Sequence, residues 1–327
     1  MSSSAPAVSV ALCTYNGERY VTEQLESIAA QSLPATEVLV FDDASTDATV
    51  DRVREFIANY DGPTRFSLES TDRAGGVVPN FERALAACTG EFIALSDQDD
   101  VWHPDRLKVA VEHLSTNPHL LLVNADARVV DADGQPTGDS LLGALYVSPE
   151  DLAQFHAGHG FQQLIRRNVV TGAATLVRRS LLKDAFPLAP DWVHDEWLAI
   201  LAAARGGMDT LEQTLIDYRV HGGNQIGVKA PTLKHRLAQL RVPRADRLVK
   251  LSRRSTDLVA RLERMEVPQE VLDLARRKQH FETKRAAYPR ARLLRLGPVL
   301  QNAKGGNYAA LSSQGTKDIL RDIIQPA

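Results

Sequence analysis

The sequence predicts an α/β fold: a mostly parallel sheet lying between helices, followed by a C-terminal α-helical module. Three observations predict it. Short apolar runs alternate with amphipathic helical stretches four times in about the first 115 residues, as parallel strands joined by crossover helices do. Several of those runs end in acidic or polar clusters, the residues that line the crevice at the carboxyl ends of strands in open α/β sheets. The charge is also divided. Residues 1–227 hold 16 Lys/Arg against 32 Asp/Glu, a balance of -16, and residues 228–327 hold 22 against 9, a balance of +13, within a net charge of -3. So sharp a break predicts a domain over 1–227 and a basic helical module over 228–327.

Val8 to Leu12 reads as a buried first strand, leading through the polar loop Cys13-Thr14-Tyr15-Asn16-Gly17-Glu18 to a helix with Val21, Leu25 and Ile28 on one face. Glu37 to Phe41 is a second strand, closed by Asp42-Asp43-Ala44-Ser45-Thr46-Asp47, and Ser45 or Thr46 can cap the next helix, which carries Val50, Val53 and Ile57. Phe66 to Leu68 is a short third strand. Gly75-Gly76 precedes a helix over Asn80 to Ala87, and Gly90 turns the chain into a central strand beginning at Phe92. A helix with Leu107, Val111 and Leu114 follows Pro104, then a strand from Leu120 to Val130 and the turn Asp131-Ala132-Asp133-Gly134. Val169 to Val177 reads as a strand interrupted by Gly172, His194 to Arg205 as a helix, and Leu215 to Tyr218 as a further strand before the loop Arg219 to Asn224. Gly138 to Gly160 has no clear period and is expected to form a mobile loop over the crevice. Beyond Pro231, Leu233, Leu237 and Leu240, then Leu248, Leu251, Leu258 and Leu262, make an apolar stripe among arginines; Val267-Pro268 breaks it before a second helix from Gln269 to Ala287 and a looser tail. This predicts an antiparallel pair or small bundle.

Composition excludes several classes. At 327 residues, 44% hydrophobic and 24% charged, the chain can bury a large core. No apolar run approaches the roughly 18–20 residues a membrane-spanning helix needs, and the opening Met-Ser-Ser-Ser-Ala-Pro-Ala predicts no secretory signal. Cys13 and Cys88, both in apolar contexts, predict a reduced, cytoplasmic protein. No dinucleotide glycine fingerprint, P-loop or paired-histidine zinc helix occurs, so hydride transfer and P-loop phosphoryl transfer have no support. No nucleic-acid-binding module accompanies the basic charge.

The chemistry concentrates in Phe92-Ile93-Ala94-Leu95-Ser96-Asp97-Gln98-Asp99-Asp100, a strand that runs into three carboxylates. Like charges this close require a cation or full solvation, and hard cations such as Mg or Mn are commonly held by one or two carboxylates together with substrate phosphates. Thr14-Tyr15-Asn16, Asp42-Asp43 and His194-Asp195-Glu196 are further polar or acidic clusters at strand or helix ends. His156 and His159 have nothing adjacent to complete a metal pair.

The sequence resembles glycosyltransferase family 2, the inverting family with the GT-A fold. Val-Ala-Leu-Cys-Thr-Tyr-Asn-Gly (10–17), Val-Phe-Asp-Asp-Ala-Ser-Thr-Asp (40–47), Leu-Ser-Asp-Gln-Asp-Asp-Val-Trp (95–102) and His194-Asp195-Glu196-Trp197, followed by Tyr218-Arg219-Val220-His221, carry the resemblance. They cover roughly residues 8–225 and are most similar to the rhamnosyltransferase-like branch. The resemblance implies that Tyr15 and Asp43 contact the nucleoside, Thr14 and Asn16 shape that loop, and Arg73 and Asn80 touch the nucleotide. It further implies that Asp99 binds the divalent ion, with Asp97 beside it or the donor sugar, Asp100 in support and His221 near the metal or diphosphate. Asp195 matches the base that deprotonates the acceptor, with Glu196 as its competitor and Asp191 a more distant one.

The implied reaction is metal-dependent inverting transfer of a sugar from a nucleoside-diphosphate donor, dTDP-L-rhamnose by branch, to a glycan or lipid-linked acceptor in cell-surface polysaccharide synthesis. A UDP-sugar donor within the same family, and a non-catalytic nucleotide-sugar-binding protein, are the alternatives. A sugar nucleotidyltransferase would carry a glycine-rich, basic triphosphate loop after the first strand, which residues 13–20 lack. For the basic module three readings stand: peripheral contact with the inner face of the membrane, pairing with the acidic half of its own or another protomer in a homo-oligomer, or a solvated helix face.

Overall fold

A computed structural model of the chain describes residues 6–222 and 243–326. The chain forms two compact units, Met1–Gly160 with Val169–Val228, and Phe161–Asn168 with Lys229–Ala327. The expected boundary at 227/228 and the stripe Leu233, Leu237 and Leu240 lie outside the described residues.

In the first unit, β1 (Val8–Thr14), β2 (Glu37–Asp42), β3 (Arg65–Ser70) and β4 (Phe92–Ser96) are mutually parallel in the order β3-β2-β1-β4. The helices α1 (Val21–Ala29), α2 (Thr49–Asn59) and α3 (Val77–Ala87) connect them, and α4 (Arg106–Thr116) follows. β1, β2 and β4 are buried along their whole length, because helices cover both faces of a parallel sheet. Val10, Leu12, Val38, Val40, Phe92 and Ala94 form one core with Val21, Leu25, Ile28, Leu107, Val111 and Leu114. Each fully buried branched side chain there contributes about 1.5–3 kcal/mol.

The other half of the sheet is mixed. β5 (Val101–Trp102), β6 (Leu122–Val130), β7 (Pro136–Ser140), β8 (Thr175–Arg178) and β9 (Met208–Arg219) complete it. β8 lies antiparallel between β4 and β6, β9 runs parallel to β6, and β5 pairs antiparallel with the end of β9. That last pairing aligns Val101 with Asp217 and Trp102 with Ile216. It thereby brings the end of β9 beside the acidic loop that follows β4.

Several expectations change. The expected mobile loop over 138–160 instead holds part of β7 together with α5 (Leu141–Ala144) and α6 (Pro149–His156). Ser148 and Asp151 form a reciprocal capping box with Pro149 in the first turn, which satisfies backbone donors that a bare helix start leaves open. The strand expected from Val169 contracts to β8, because Gly172–Ala174 forms a tight helical turn instead. The strand expected over Leu215 to Tyr218 extends back to Met208. α8 (Leu182–Ala185) and the almost wholly buried α9 (His194–Ala204) complete the unit.

In the second unit, α7 (Gly160–Leu164) opens the Phe161–Asn168 segment. After it come α10 (Ala245–Leu262), α11 (Gln269–Ala286), α12 (Arg292–Lys304), α13 (Asn307–Leu311) and α14 (Lys317–Ile324). The looser tail is therefore three further helices. A small apolar cluster of Phe281, Tyr288, Val299, Tyr308 and Leu311 sits beside buried charge. Arg285 bonds Asp322 (2.6 Å) and Glu282 (2.9 Å), Lys278 bonds Glu282 (2.8 Å), and Arg244 and Arg295 donate to backbone carbonyls. Burial pulls the Arg285 guanidinium down, and Glu282 and Asp322 more than offset it. Several of the module's basic residues are thus internal, an arrangement none of the three expected readings contained. Among the described residues no helix is long and apolar enough to cross a membrane.

Candidate active site

Parallel pairing decides which residues meet. Thr14 is in register with Asp42, Asp42 with Ser70, and Leu12 with Ser96, so the segments after β1, β2 and β4 open on one edge of the sheet. Thr14 Oγ1 donates to Asp42 Oδ2 (2.8 Å), and Asp42 also accepts from the Ser45 N–H and hydroxyl. These bonds occupy Asp42 and close the strand. Asp43 accepts from the N–H groups of Gly75 (2.8 Å) and Gly76 (2.7 Å), holding the loop that carries the exposed Arg73. Gly76 has φ 94, a conformation that favours glycine.

The loop after β1 is held from both sides. The backbone N–H of Asn16 donates to Ser45 Oγ, and Asn16 Oδ1 accepts from Thr46 N–H, each at 2.8 Å. The Gln98 amide accepts from Tyr15 N–H (2.8 Å) and donates to Tyr15 O (3.0 Å). The Tyr15 ring stays 39% exposed, open to a stacking partner. Asn80 sits elsewhere: it is buried, with its amide on Phe41 O (2.7 Å) and its oxygen on Arg83 (2.7 Å), in the packing of α3 on β2.

Asp97, Asp99 and Asp100 crowd the end of β4. Burial, then Asp99 and Asp195, push the Asp97 carboxyl up to about 7. Burial, then Asp99 and Asp97, raise Asp100 well above the carboxylate range, while the Arg219 N–H opposes the rise (2.9 Å). Asp100 Oδ2 is buried with no partner among the described residues. The Arg219 guanidinium bonds Asp99 O (2.8 Å) and Glu23 (2.6 Å), and His221 Nε2 lies 2.8 Å from Asp99 Oδ2. Tyr20 supports this corner, its ring centroid 4.9 Å from that of His221.

Asp195 stands in the first turn of α9. Its carboxylate accepts from Gly172 N–H (2.8 Å) and Glu196 N–H (2.7 Å), and it is near enough to raise both Asp97 and the Tyr218 hydroxyl. Glu196, one residue on, is half-buried. Arg106 is the residue that sequence reasoning missed. It is buried, stacks 3.5 Å from the Trp102 ring centroid, and donates to Leu95 O (3.1 Å) and Ala173 O (2.6 Å). It therefore ties the turn that holds Asp195 to the strand that carries the acids. Burial lowers its guanidinium to about 9, against the attraction of Asp100 and Asp97. An arginine two residues after a proline carries no distinguishing local pattern, so only the fold reveals the tie.

His194 stacks on Phe81 (3.7 Å between centroids), and burial lowers it to about 3, with neither ring nitrogen partnered among the described residues. Below its ordinary value of 6.5, the unfolded chain takes a proton that the folded chain refuses, so stability falls as pH falls toward 3. Above 6.5 neither state binds the proton and the contribution is flat. His194→Phe should remove about 2 kcal/mol of the stability lost between roughly pH 7 and pH 5, read from urea midpoints. An unchanged slope in that variant would exclude the histidine as the source.

The donor set fits a divalent cation. Asp99 offers a carboxylate and His221 an imidazole, the Asp100 oxygen is buried without a partner beside them, and hard ions complete such partial sets with substrate phosphates. Among the described residues no three such side chains close into a full cage.

Comparisons with known proteins bear on the family and the fold. The family model for glycosyl transferase family 2 matches residues 9–186. An uncharacterized glycosyltransferase of Nostoc sp. is 29% identical over 227 residues, covering 66% of each chain. An uncharacterized protein of Mycobacterium tuberculosis is 31% identical over 219 residues, 65% of this chain and 59% of its own. This chain thus spans about three-fifths to two-thirds of the length of those relatives. The dTDP-rhamnosyl transferase RfbG of Shigella flexneri is 37% identical over 109 residues, 32% of this chain and 37% of its own. Among solved structures, S. aureus TarS 1-349 with UDP-GlcNAc superposes with a TM-score of 0.59 at 18% identity, covering 97% of this chain and 81% of that one. The Pyrobaculum calidifontis mannosyltransferase with GDP-Man and Mn2+ gives 0.51 at 20%, with the same two coverages. At those identities the structural likeness speaks for the fold, which is GT-A-like. With more than half of its length matched by the family model, the chain belongs to glycosyltransferase family 2.

Proposed function

We propose that this chain is an inverting glycosyltransferase that moves L-rhamnose from dTDP-L-rhamnose to a glycan or lipid-linked acceptor in cell-surface polysaccharide synthesis. The observation that supports the reaction type is that the Gly172–Ala174 turn, which donates to Asp195, is tied by Arg106 to Leu95 in the strand that runs into the acids. Inversion needs a base on the face of the sugar opposite the leaving diphosphate. A carboxylate set by two backbone N–H groups at a helix start is held ready for that task. Tyr15 and the Asp43-held loop take the nucleoside, Asp97 the ribose or sugar, and Asp99 and His221 the side nearest the diphosphate. Asp99 and His221 would hold Mg or Mn, which would supply charge neutralisation at the departing phosphate. Support for rhamnose comes from the likeness over 109 residues to RfbG, a dTDP-rhamnosyl transferase.

A thermal-shift panel of nucleotide sugars with and without Mn tests the reading. With the true donor near a hundred times its Kd, the folded state gains about 2.7 kcal/mol. The Mn-dependent part should vanish in Asp99→Ala. A larger response to a UDP-sugar than to dTDP-L-rhamnose would replace the donor, and no response to any nucleotide sugar would overturn the assignment.

A further inference from the structure

Two helices of the second unit bury charge beside apolar contacts and still leave leucines outside: Val299 and Ala303 of α12 and Ile319 and Ile323 of α14 pack on the Phe281–Tyr308 cluster. On α12, Arg295, Val299 and Asn302 are buried, and the Arg295 guanidinium donates to the carbonyls of Pro289, Arg290, Asp322 and Gln325. Its leucines face out: Leu293 is 81% exposed, Leu294 66%, Leu300 51%, and Leu296 is exposed as well. Leu293, Leu296 and Leu300 follow the i, i+3, i+7 spacing of a single helical stripe. On α14, Asp318 and Asp322 are buried while Leu320 is 58% exposed. These leucines lie outside the apolar contacts that hold the helices in place, and clustered apolar exposure of this kind marks a binding surface.

We infer that the outward stripe of α12, together with the exposed Leu320 of α14 in the same unit, docks on an anionic phospholipid surface. This goes beyond the sugar-transfer reading and does not depend on it. The argument for lipid is charge complementarity. Between Glu282 and Asp318 the sequence has no acidic residue, while Lys284, Arg290, Arg292, Lys304 and Lys317 are all exposed. Arg292 and Lys304 are the two ends of α12 and bracket the leucines. Leucines entering the acyl boundary with cations at the headgroup level is how a helix lies in a membrane interface. At 13 residues α12 is too short to span a bilayer. A second copy fits less well, because a two-fold contact sets a patch against itself and would oppose like charges.

The experiment is co-sedimentation of the full chain with vesicles of phosphatidylcholine alone and of phosphatidylcholine mixed with phosphatidylglycerol. Binding should require phosphatidylglycerol and weaken with added salt. It should fall by at least tenfold in Leu293→Ser/Leu294→Ser/Leu300→Ser, since full burial of even one of the three leucines carries roughly a tenfold factor. Arg290→Gln/Arg292→Gln/Lys304→Gln should also weaken it, through the charges alone. Circular dichroism melts of both triple variants should match the parent, since every altered side chain is exposed. Vesicle binding that survives the leucine substitutions, or no binding to phosphatidylglycerol vesicles, would overturn the inference. So would a dimer in light scattering that the same leucine substitutions dissolve while vesicles are ignored.

Discussion

Asp195→Asn is expected to lower sugar transfer by about a thousandfold, within the range for removing a positioned general base, while nucleotide-sugar binding measured by thermal shift stays at the parent level. Asparagine keeps the size of the side chain but cannot accept the acceptor's proton. One of its two amide ends also faces an N–H donor, Gly172 or Glu196, where the carboxylate accepts from both. Glu196→Gln separates the two neighbouring candidates and should retain most of the activity. The placement of Asp195 supports this order: its carboxylate is oriented by two backbone donors and lies close enough to Asp97 to raise it. Normal turnover in Asp195→Asn together with a dead Glu196→Gln would move the base one residue along α9.

Local pattern was enough for the parallel half of the molecule. Buried apolar runs closed by a polar loop or by acids announced β1, β2 and β4, and parallel pairing then placed Thr14, Asp42 and Ser96 at one edge. The second half of the site was legible only as motifs. Asp195 is bonded by Gly172 in a tight turn rather than a strand, and Arg106 binds that turn to Leu95. Neither contact follows a sequence period. The 138–160 stretch hid its helices for another reason: α5 and α6 are four and eight residues long, too short to show a helical repeat. The capping box at Ser148 and Asp151 was nevertheless in plain view. In the basic module, counting charges could not reveal that Arg285 and Arg295 point inward, since burial of an arginine is decided by partners distant in sequence, such as Asp322.

Arg285→Met should destabilise the second unit by about 3–5 kcal/mol, the usual cost of breaking a buried ion pair from one side. Arg285 is held by Asp322 through Nε and Nη2 (2.6 and 3.0 Å) and by Glu282 (2.9 Å), and Tyr308 donates to the same Asp322 oxygen (2.7 Å). Methionine fills similar space, so most of the loss would come from two buried carboxylates left short of a cation rather than from a cavity. For the same reason Arg285→Met/Asp322→Leu should recover part of the loss, because removing both charges also removes the desolvation they impose. The network predicts an acid limb as well. Burial raises Glu282, and Lys278 and Arg285 overcome it, so its folded value lies below the ordinary 4.5; the stability it contributes is present above that value and lost as pH falls through the lowered one. Urea unfolding of the full chain by far-UV circular dichroism, with amide exchange read over Phe281–Leu311, reports on this unit. A shift below about 1 kcal/mol in Arg285→Met would mean that water reaches these carboxylates and the pair is effectively at the surface.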